Sequence, residues 1–242
     1  MSSPPPEALE AGRVAVGYAR VDGLSQRQIQ QDLAVLSPEE RGRYTRRRGC
    51  AGVEYLGAHA LLRRTLSRYC STDPSAWSFA PDGMGKPKIV GARPDERFRF
   101  NLSHTRGLVA CVVSRDESVG IDVESSEISR GYEKMVERVL SPGERRDVGS
   151  LPASERLARF LEYWTLKEAH LKAKGTGIRS RLDALEFRLL GESGAQGRFE
   201  GGEQPAGRSW HYLRLRPTQV HYIAVAVEGT RSPDWEILGT DG

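Results

Sequence analysis

One short phrase occurs twice in this sequence, and it restricts the possible folds more than any other feature. Leu36-Ser37-Pro38-Glu39-Glu40-Arg41 returns a hundred or so residues later as Leu140-Ser141-Pro142-Gly143-Glu144-Arg145. The first copy offers a serine to cap a helix, a proline for the first helical position, and acids where the helix dipole favours them. A helix is therefore expected to start at Pro38. A longer helical pattern follows each copy, Val53 to Tyr69 in the first case and Glu155 to Lys174 in the second. Two similar halves meeting near Asp116 are one explanation. Six residues are few enough to recur by chance, and that explanation stays open beside it.

Strand-like runs rich in β-branched and aromatic residues come after the first long helix, at Phe98 to Leu102, Leu108 to Val113 and Ser118 to Val123. Thr105-Arg106-Gly107 and Arg115-Asp116-Glu117 separate them as turns. Trp210 to Leu215 and Val220 to Val227 alternate around Pro217 and read as a final hairpin. The fold class expected is α+β, with helices packed on antiparallel sheet. Residues 1–12, with Pro4, Pro5 and Pro6, read as a flexible tail, 13–116 as the N-terminal half and 117–242 as the C-terminal half.

Composition narrows the function classes. Of the 242 residues, 38% are hydrophobic and 28% charged, which suits a soluble globular protein. No run approaches a membrane span, and the start of the chain has no apolar core for a secretion signal, so a cytoplasmic protein is expected. Cys50, Cys70 and Cys111 form no CxxC pair, and none of the five histidines has a second at metal-site spacing, which disfavours zinc chemistry. A net charge of +4 is only mildly basic.

The second long helix carries the most chemistry. Leu157, Phe160, Leu161, Trp164 and Leu171 form one apolar stripe, with Ser154 available to cap its start and Gly175 its end. Four residues past Trp164 the stripe reaches Glu168, a carboxylate on a face expected to be buried, which is costly without a partner. Lys172, one turn further, is one such partner; a metal and phosphate site is the other reading. Gly120-Ile121-Asp122-Val123-Glu124 alternates so that Asp122 and Glu124 project from one face of a strand. Two carboxylates placed so can simply face water. Joined by a third, they offer oxygen ligands suited to Mg²⁺ or Mn²⁺, which take further ligands from substrate phosphates.

Three weaker signals remain. Asn101, Ser103 and His104 end a strand, at an edge open to a ligand. Lys86 sits between Gly85 and Pro87, whose backbones restrict where its ammonium points. Arg41, Arg43, Arg46, Arg47 and Arg48, with Arg63 and Arg64, make the densest positive region, either a solvated helix face or a surface for phosphate or an acidic partner.

Four of these elements, in this order, resemble the Sfp-type 4'-phosphopantetheinyl transferases. They are Gly-Lys-Pro at 85–87, Asn-x-Ser-His at 101–104, Gly-Ile-Asp-Val-Glu at 120–124 and Trp-Thr-x-Lys-Glu-Ala-x-x-Lys at 164–172. The resemblance spans roughly residues 36–178. It implies two pseudosymmetric α+β halves with coenzyme A in the cleft between them, and a monomer. It implies transfer of the phosphopantetheine arm to a serine of an acyl or peptidyl carrier protein of polyketide, nonribosomal-peptide or fatty-acid synthesis, releasing 3',5'-ADP. By carry-over, Asp122, Glu124 and Glu168 hold Mg²⁺, Lys172 and His104 neutralise phosphate oxygens, and Lys86 with Pro87, Asn101 and Ser103 serves the nucleotide. Glu168 takes the serine proton, directly or through water. Family members usually carry a basic residue for the 3'-phosphate where this chain reads Gly52-Val53-Glu54; Arg48, Arg47, Arg46 or His59 would have to supply it. The competing readings are a nucleic-acid-binding protein using the arginine cluster, which leaves the carboxylates unexplained, and a coenzyme A binder without catalysis.

Overall fold

A computed structural model describes residues 8–83, 85–91, 97–129, 131–175, 181–199 and 207–240. In chain order the elements are β1 (Arg13–Arg20), α1 (Gln26–Val35), α2 (Pro38–Thr45), α3 (Cys50–Arg68), β2 (Phe79–Pro81), β3 (Pro87–Ile89), β4 (Phe98–Thr105), β5 (Leu108–Arg115) and β6 (Ser118–Ser125). Then follow α4 (Val136–Val139), α5 (Pro142–Ser150), α6 (Ala153–Lys174), β7 (Leu185–Leu190), β8 (Gly194–Phe199), β9 (Ser209–Leu215), β10 (His221–Gly229) and β11 (Asp234–Thr240).

Both copies of the repeated phrase start a helix, and for the same reason. The Ser37 hydroxyl accepts from the Glu40 N–H at 3.2 Å while the Glu40 carboxylate accepts from the Ser37 N–H at 3.0 Å. Ser141 and Glu144 close the same ring at 3.2 and 2.7 Å. Each ring satisfies two backbone donors that a helix start leaves orphaned. The later boundaries differ slightly from expectation. Helix α3 begins at Cys50, and α6 begins after Pro152, whose fixed φ suits a helix entry, so Ser154 lies inside the helix and does not cap it. Gly175 ends α6 in the left-handed conformation, at φ +71°.

The chain divides into two units, residues 1–116 with 234–242, and residues 117–233. In the first, the sheet runs β11-β1-β5-β4, with β2 and β3 as a separate hairpin. Helix α3 covers this sheet, and Leu62, Leu66, Trp77, Phe98, Phe100, Cys111 and Val113 form the core. Leu9 is buried in the same core, so the expected tail is anchored there; positions 1–7 lie outside the described residues. In the second unit the sheet order is β6-β10-β9-β8-β7, and α6 packs on it through Phe160, Leu161, Leu166 and Leu171 against Tyr212, Tyr222 and Ala224. Each leucine, valine or phenylalanine among them that is removed from water stabilises its unit by roughly 1.5–3 kcal/mol.

Two expectations need correction. The hairpin β9–β10 is not final: β11 follows it and pairs in parallel with β1, Val16 opposite Ile237, so Asp234–Thr240 belong with the first unit and that sheet is not wholly antiparallel. Strand partners so distant in the chain leave no local pattern. The β7–β8 hairpin, with Phe187 opposite Gly197, adds two strands to those expected. Among the described residues, no helix is long and apolar enough to cross a membrane.

Candidate active site

Gly120 decides how closely the second unit's long helix lies on its sheet. A Cβ there would run into the carbonyl oxygen of Ala169 and the amide nitrogen of Ala173, so only glycine lets α6 approach β6 this far. Asp122 and Glu124, two and four residues further along β6, share Gly120's face of the strand. Glu168 and Lys172 adjoin Ala169 and Ala173 on the helix. Four candidate residues are thereby gathered around one helix–strand contact.

Their pairing differs from the simplest expectation. Lys172 Nζ lies 2.6 Å from Asp122 Oδ1, so the helix cation neutralises the strand carboxylate. Glu168 is left with its Oε1 buried and without a hydrogen-bond partner among the described residues. Trp164 donates its indole N–H to Glu124 Oε1 at 3.0 Å. Burial, with the charge of Asp122 next, pushes both Glu124 and Glu168 above the usual carboxylate range. A cation would relieve that repulsion.

The donor set fits a hard cation such as Mg²⁺, being oxygen only, anionic, and holding one buried oxygen to which nothing donates. As the side chains stand, no group of three or more His, Cys, Asp or Glu among the described residues is disposed to hold a metal ion. Asp122 Oδ1 and Glu124 Oε1 are instead turned to Lys172 and Trp164.

The other candidates lie in the first unit. Lys86 belongs to a tight turn between β2 and β3, where its N–H donates to Asp82 Oδ1 at 2.9 Å and the Asp82 N–H donates back to its carbonyl at 2.8 Å. Gly85 permits this turn with φ +87°. Burial lowers the proton affinity of the Lys86 amine, and Asp82 partly offsets this. Strand β4 lies at an edge of its sheet and runs on to Thr105, so Ser103 and His104 stand within the strand, Ser103 buried and His104 exposed, on opposite faces. His104 Nδ1 lies 3.4 Å from Glu54 Oε2, a contact with no signal in the sequence. Asn101 is half-buried on the Ser103 side.

A groove of about 460 Å³ in this unit is lined by Glu40, Arg43, His59, Phe79, Gly85 and Pro87 among others. Arg48 is exposed and does not line it. The rest of the arginine cluster is largely engaged within the fold. Arg41 donates to the carbonyls of Leu36 and Ala34, Arg47 stacks 4.2 Å over the Tyr55 ring, Arg64 pairs with Asp32, and Arg63 is buried.

Comparison with known proteins follows the same lines. The family model described as the 4'-phosphopantetheinyl transferase superfamily matches residues 118–226. The chain is 32% identical over 192 residues to the 4'-phosphopantetheinyl transferase HetI of Nostoc sp., covering 79% of this chain and 73% of HetI. It is 31% identical over 169 residues to the 4'-phosphopantetheinyl transferase Sfp of Bacillus subtilis, covering 69% and 72%. A solved holo-(acyl-carrier-protein) synthase from Bacillus anthracis aligns with 47% of this chain and 96% of its own, at 22% identity and TM-score 0.40. With a relative this similar across most of both chains, and the β6 and α6 carboxylates inside the matched segment, the chain belongs to the 4'-phosphopantetheinyl transferase superfamily.

Proposed function

We propose that this protein transfers the 4'-phosphopantetheine arm of coenzyme A to a serine hydroxyl of an apo carrier protein and releases 3',5'-ADP. The observation that supports this best is the cluster of buried Asp122 with half-buried Glu124 and Glu168 beside Lys172, a set of mutually repelling carboxylates that costs stability. Asp122, Glu124 and Glu168 would hold Mg²⁺, which, when bound, withdraws charge from the pyrophosphate and makes its β-phosphorus more electrophilic.

The rest of the chemistry falls to the side chains. The serine oxygen forms a bond to the β-phosphorus, and the bond from that phosphorus to the bridging oxygen breaks, leaving the electron pair on 3',5'-ADP. Glu168 accepts the serine proton, directly or through water, although a cation bound to it lowers its proton affinity, so its role as ligand is the stronger one. Lys172 moves between Asp122 and the phosphoryl oxygens, neutralising charge as it develops. His104 of the first unit neutralises a further phosphate oxygen. Lys86, Pro87, Asn101 and Ser103 serve the nucleotide. For the 3'-phosphate, the groove beside Pro87 favours Arg43 and His59 over Arg48.

The test is intact-mass spectrometry of an apo carrier protein incubated with this protein, coenzyme A and Mg²⁺, with an EDTA control. A mass gain equal to the phosphopantetheine arm, present only with the metal, is expected. No gain with several carrier types, and no coenzyme A binding, would sink the reading.

A further inference from the structure

The Trp-Thr-x-Lys-Glu-Ala motif contains a lysine that the mechanism above does not use. Lys167 is fully buried, and its Nζ lies 2.7 Å from Glu144 Oε2, also fully buried. The same ammonium donates to the carbonyl oxygens of Leu182 at 2.8 Å and Leu185 at 2.5 Å, which bracket the 3-10 turn Leu182–Ala184. Glu144 Oε1 in turn accepts from the Phe187 N–H at 2.8 Å. One ion pair thus ties the start of α5, the middle of α6 and the entry to β7.

The first unit repeats this device. Arg63 stands 23 residues after Glu40, as Lys167 stands 23 after Glu144. Arg63 Nη2 lies 2.7 Å from Glu40 Oε2, and its Nη1 donates to the carbonyls of Pro74 and Trp77, which bracket the 3-10 turn Pro74–Ala76. A motif found in both units, only one of which carries the carboxylate group, belongs to the placement of the long helix.

We infer that Lys167 is a positioning residue: bound to Glu144 and two carbonyls, it fixes the rotation of α6 about its axis, and so sets where the next residue, Glu168, and Lys172 meet Asp122 and Glu124. A rotation of α6 by one residue spacing, about 100°, would carry Glu168 off the strand. The inference rests on the reading of Glu168 as a metal and proton-transfer residue.

The experiment compares Lys167→Met, Lys167→Arg and the double variant Glu144→Leu/Lys167→Met, the last removing both buried charges should the first not fold. Folding is checked by circular dichroism. Mg²⁺ affinity is measured by calorimetry on the protein alone, and kcat and KM for coenzyme A at a temperature where each variant is folded. Folded Lys167→Met, or the double variant, should lose about tenfold or more in Mg²⁺ affinity and kcat with KM changed far less. Lys167→Arg should recover most of both, since arginine fills the same role at position 63. A folded variant lacking Lys167 that keeps wild-type Mg²⁺ affinity and kcat, with only its melting temperature lowered, overturns the inference. Glu168→Gln separates the two levels: if it keeps Mg²⁺ affinity and activity, the underlying reading fails whatever Lys167 does.

Discussion

The two units follow one plan up to the contact between long helix and strand, and diverge there. Gly17 lies against Thr65 and Leu61 of α3 as Gly120 lies against Ala169 and Ala173 of α6. Two and four positions beyond these glycines stand Ala19 and Val21 in the first unit, but Asp122 and Glu124 in the second. On the helices, Glu168 and Lys172 stand where the first unit has Arg64 and Arg68, which are paired with Asp32 and Glu236. The fold therefore needs the capping rings, the buried glutamate–cation pair and a close-packed glycine, because both units keep them. It does not need the carboxylates, whose mutual repulsion the second unit tolerates for another purpose.

The largest expected difference is in activity. Glu168→Gln should cost about a hundredfold or more in kcat, whereas Arg64→Gln at the matching place should change it by no more than about twofold. Steady-state kinetics with an apo carrier protein decides this, and full turnover by Glu168→Gln with Mg²⁺ would refute both roles given to that residue.

Breaking the buried pairs sharpens the comparison in stability. Glu144→Gln leaves the ammonium of Lys167 buried without its counter-charge and should cost about 3–5 kcal/mol. Both cations keep two carbonyls, but Glu40→Gln should cost less, about 1–3 kcal/mol, because Glu40 and its other partner His59 keep some access to water whereas Glu144 and Lys167 have none. Urea denaturation of both variants orders them, and equal losses would mean the two pairs are equivalent.

Alanine at the packing glycines should separate the units again. At Gly120 the new methyl meets helix backbone, which cannot step aside, and about 2–3 kcal/mol is lost together with activity. At Gly17 it meets the Thr65 hydroxyl at 3.1 Å and the Cys111 sulfur at 3.2 Å, side-chain atoms able to shift by a few tenths of an ångström, and the loss should be about 1 kcal/mol. Thermal melts of the two variants provide the check.

The smallest effect at neutral pH concerns His170, which stands where the first unit has the buried Leu66. Burial, assisted by the charge of Lys174, pushes the imidazole down to about 3 from 6.5. The unfolded chain therefore binds a proton between those values that the folded chain does not. Stability is fully present above pH 6.5 and declines as pH falls through that window, by at most about 1.4 kcal/mol per unit. His170→Leu, copying the first unit, should flatten this acid slope, while at pH 7 it costs about 1 kcal/mol for the buried Tyr212 hydroxyl that loses its hydrogen bond to the imidazole. An unaltered slope would mean the proton is taken up elsewhere.

Much of this was legible before any coordinates. Ser37 and Ser141 announced their helices because a cap closes within three residues, and the alternation in 120–124 put Asp122 and Glu124 on one face because a strand has period two. Glu168 stood out as a charge on an apolar stripe. The partners were not legible: Lys172 lies on Glu168's helix yet takes Asp122, Glu54 reaches His104, and Lys167, visible in the motif, gave no sign that its partner was Glu144. The one available hint was the spacing of 23 residues shared by Glu40 with Arg63 and Glu144 with Lys167, which gains meaning only once both pairs are seen to be buried.

By itself, then, the sequence determined where helices begin, which faces are apolar, and which residue types stand at the spacing of a carboxylate–phosphate chemistry, since all of these follow from hydrogen bonds and periodicities spanning a few residues. Tertiary structure alone decided which cation answers which acid, and that β11 joins the first unit's sheet in parallel. A charge in a protein is neutralised by whatever stands within a few ångströms, and that neighbour is set by the packing of elements tens to hundreds of residues apart.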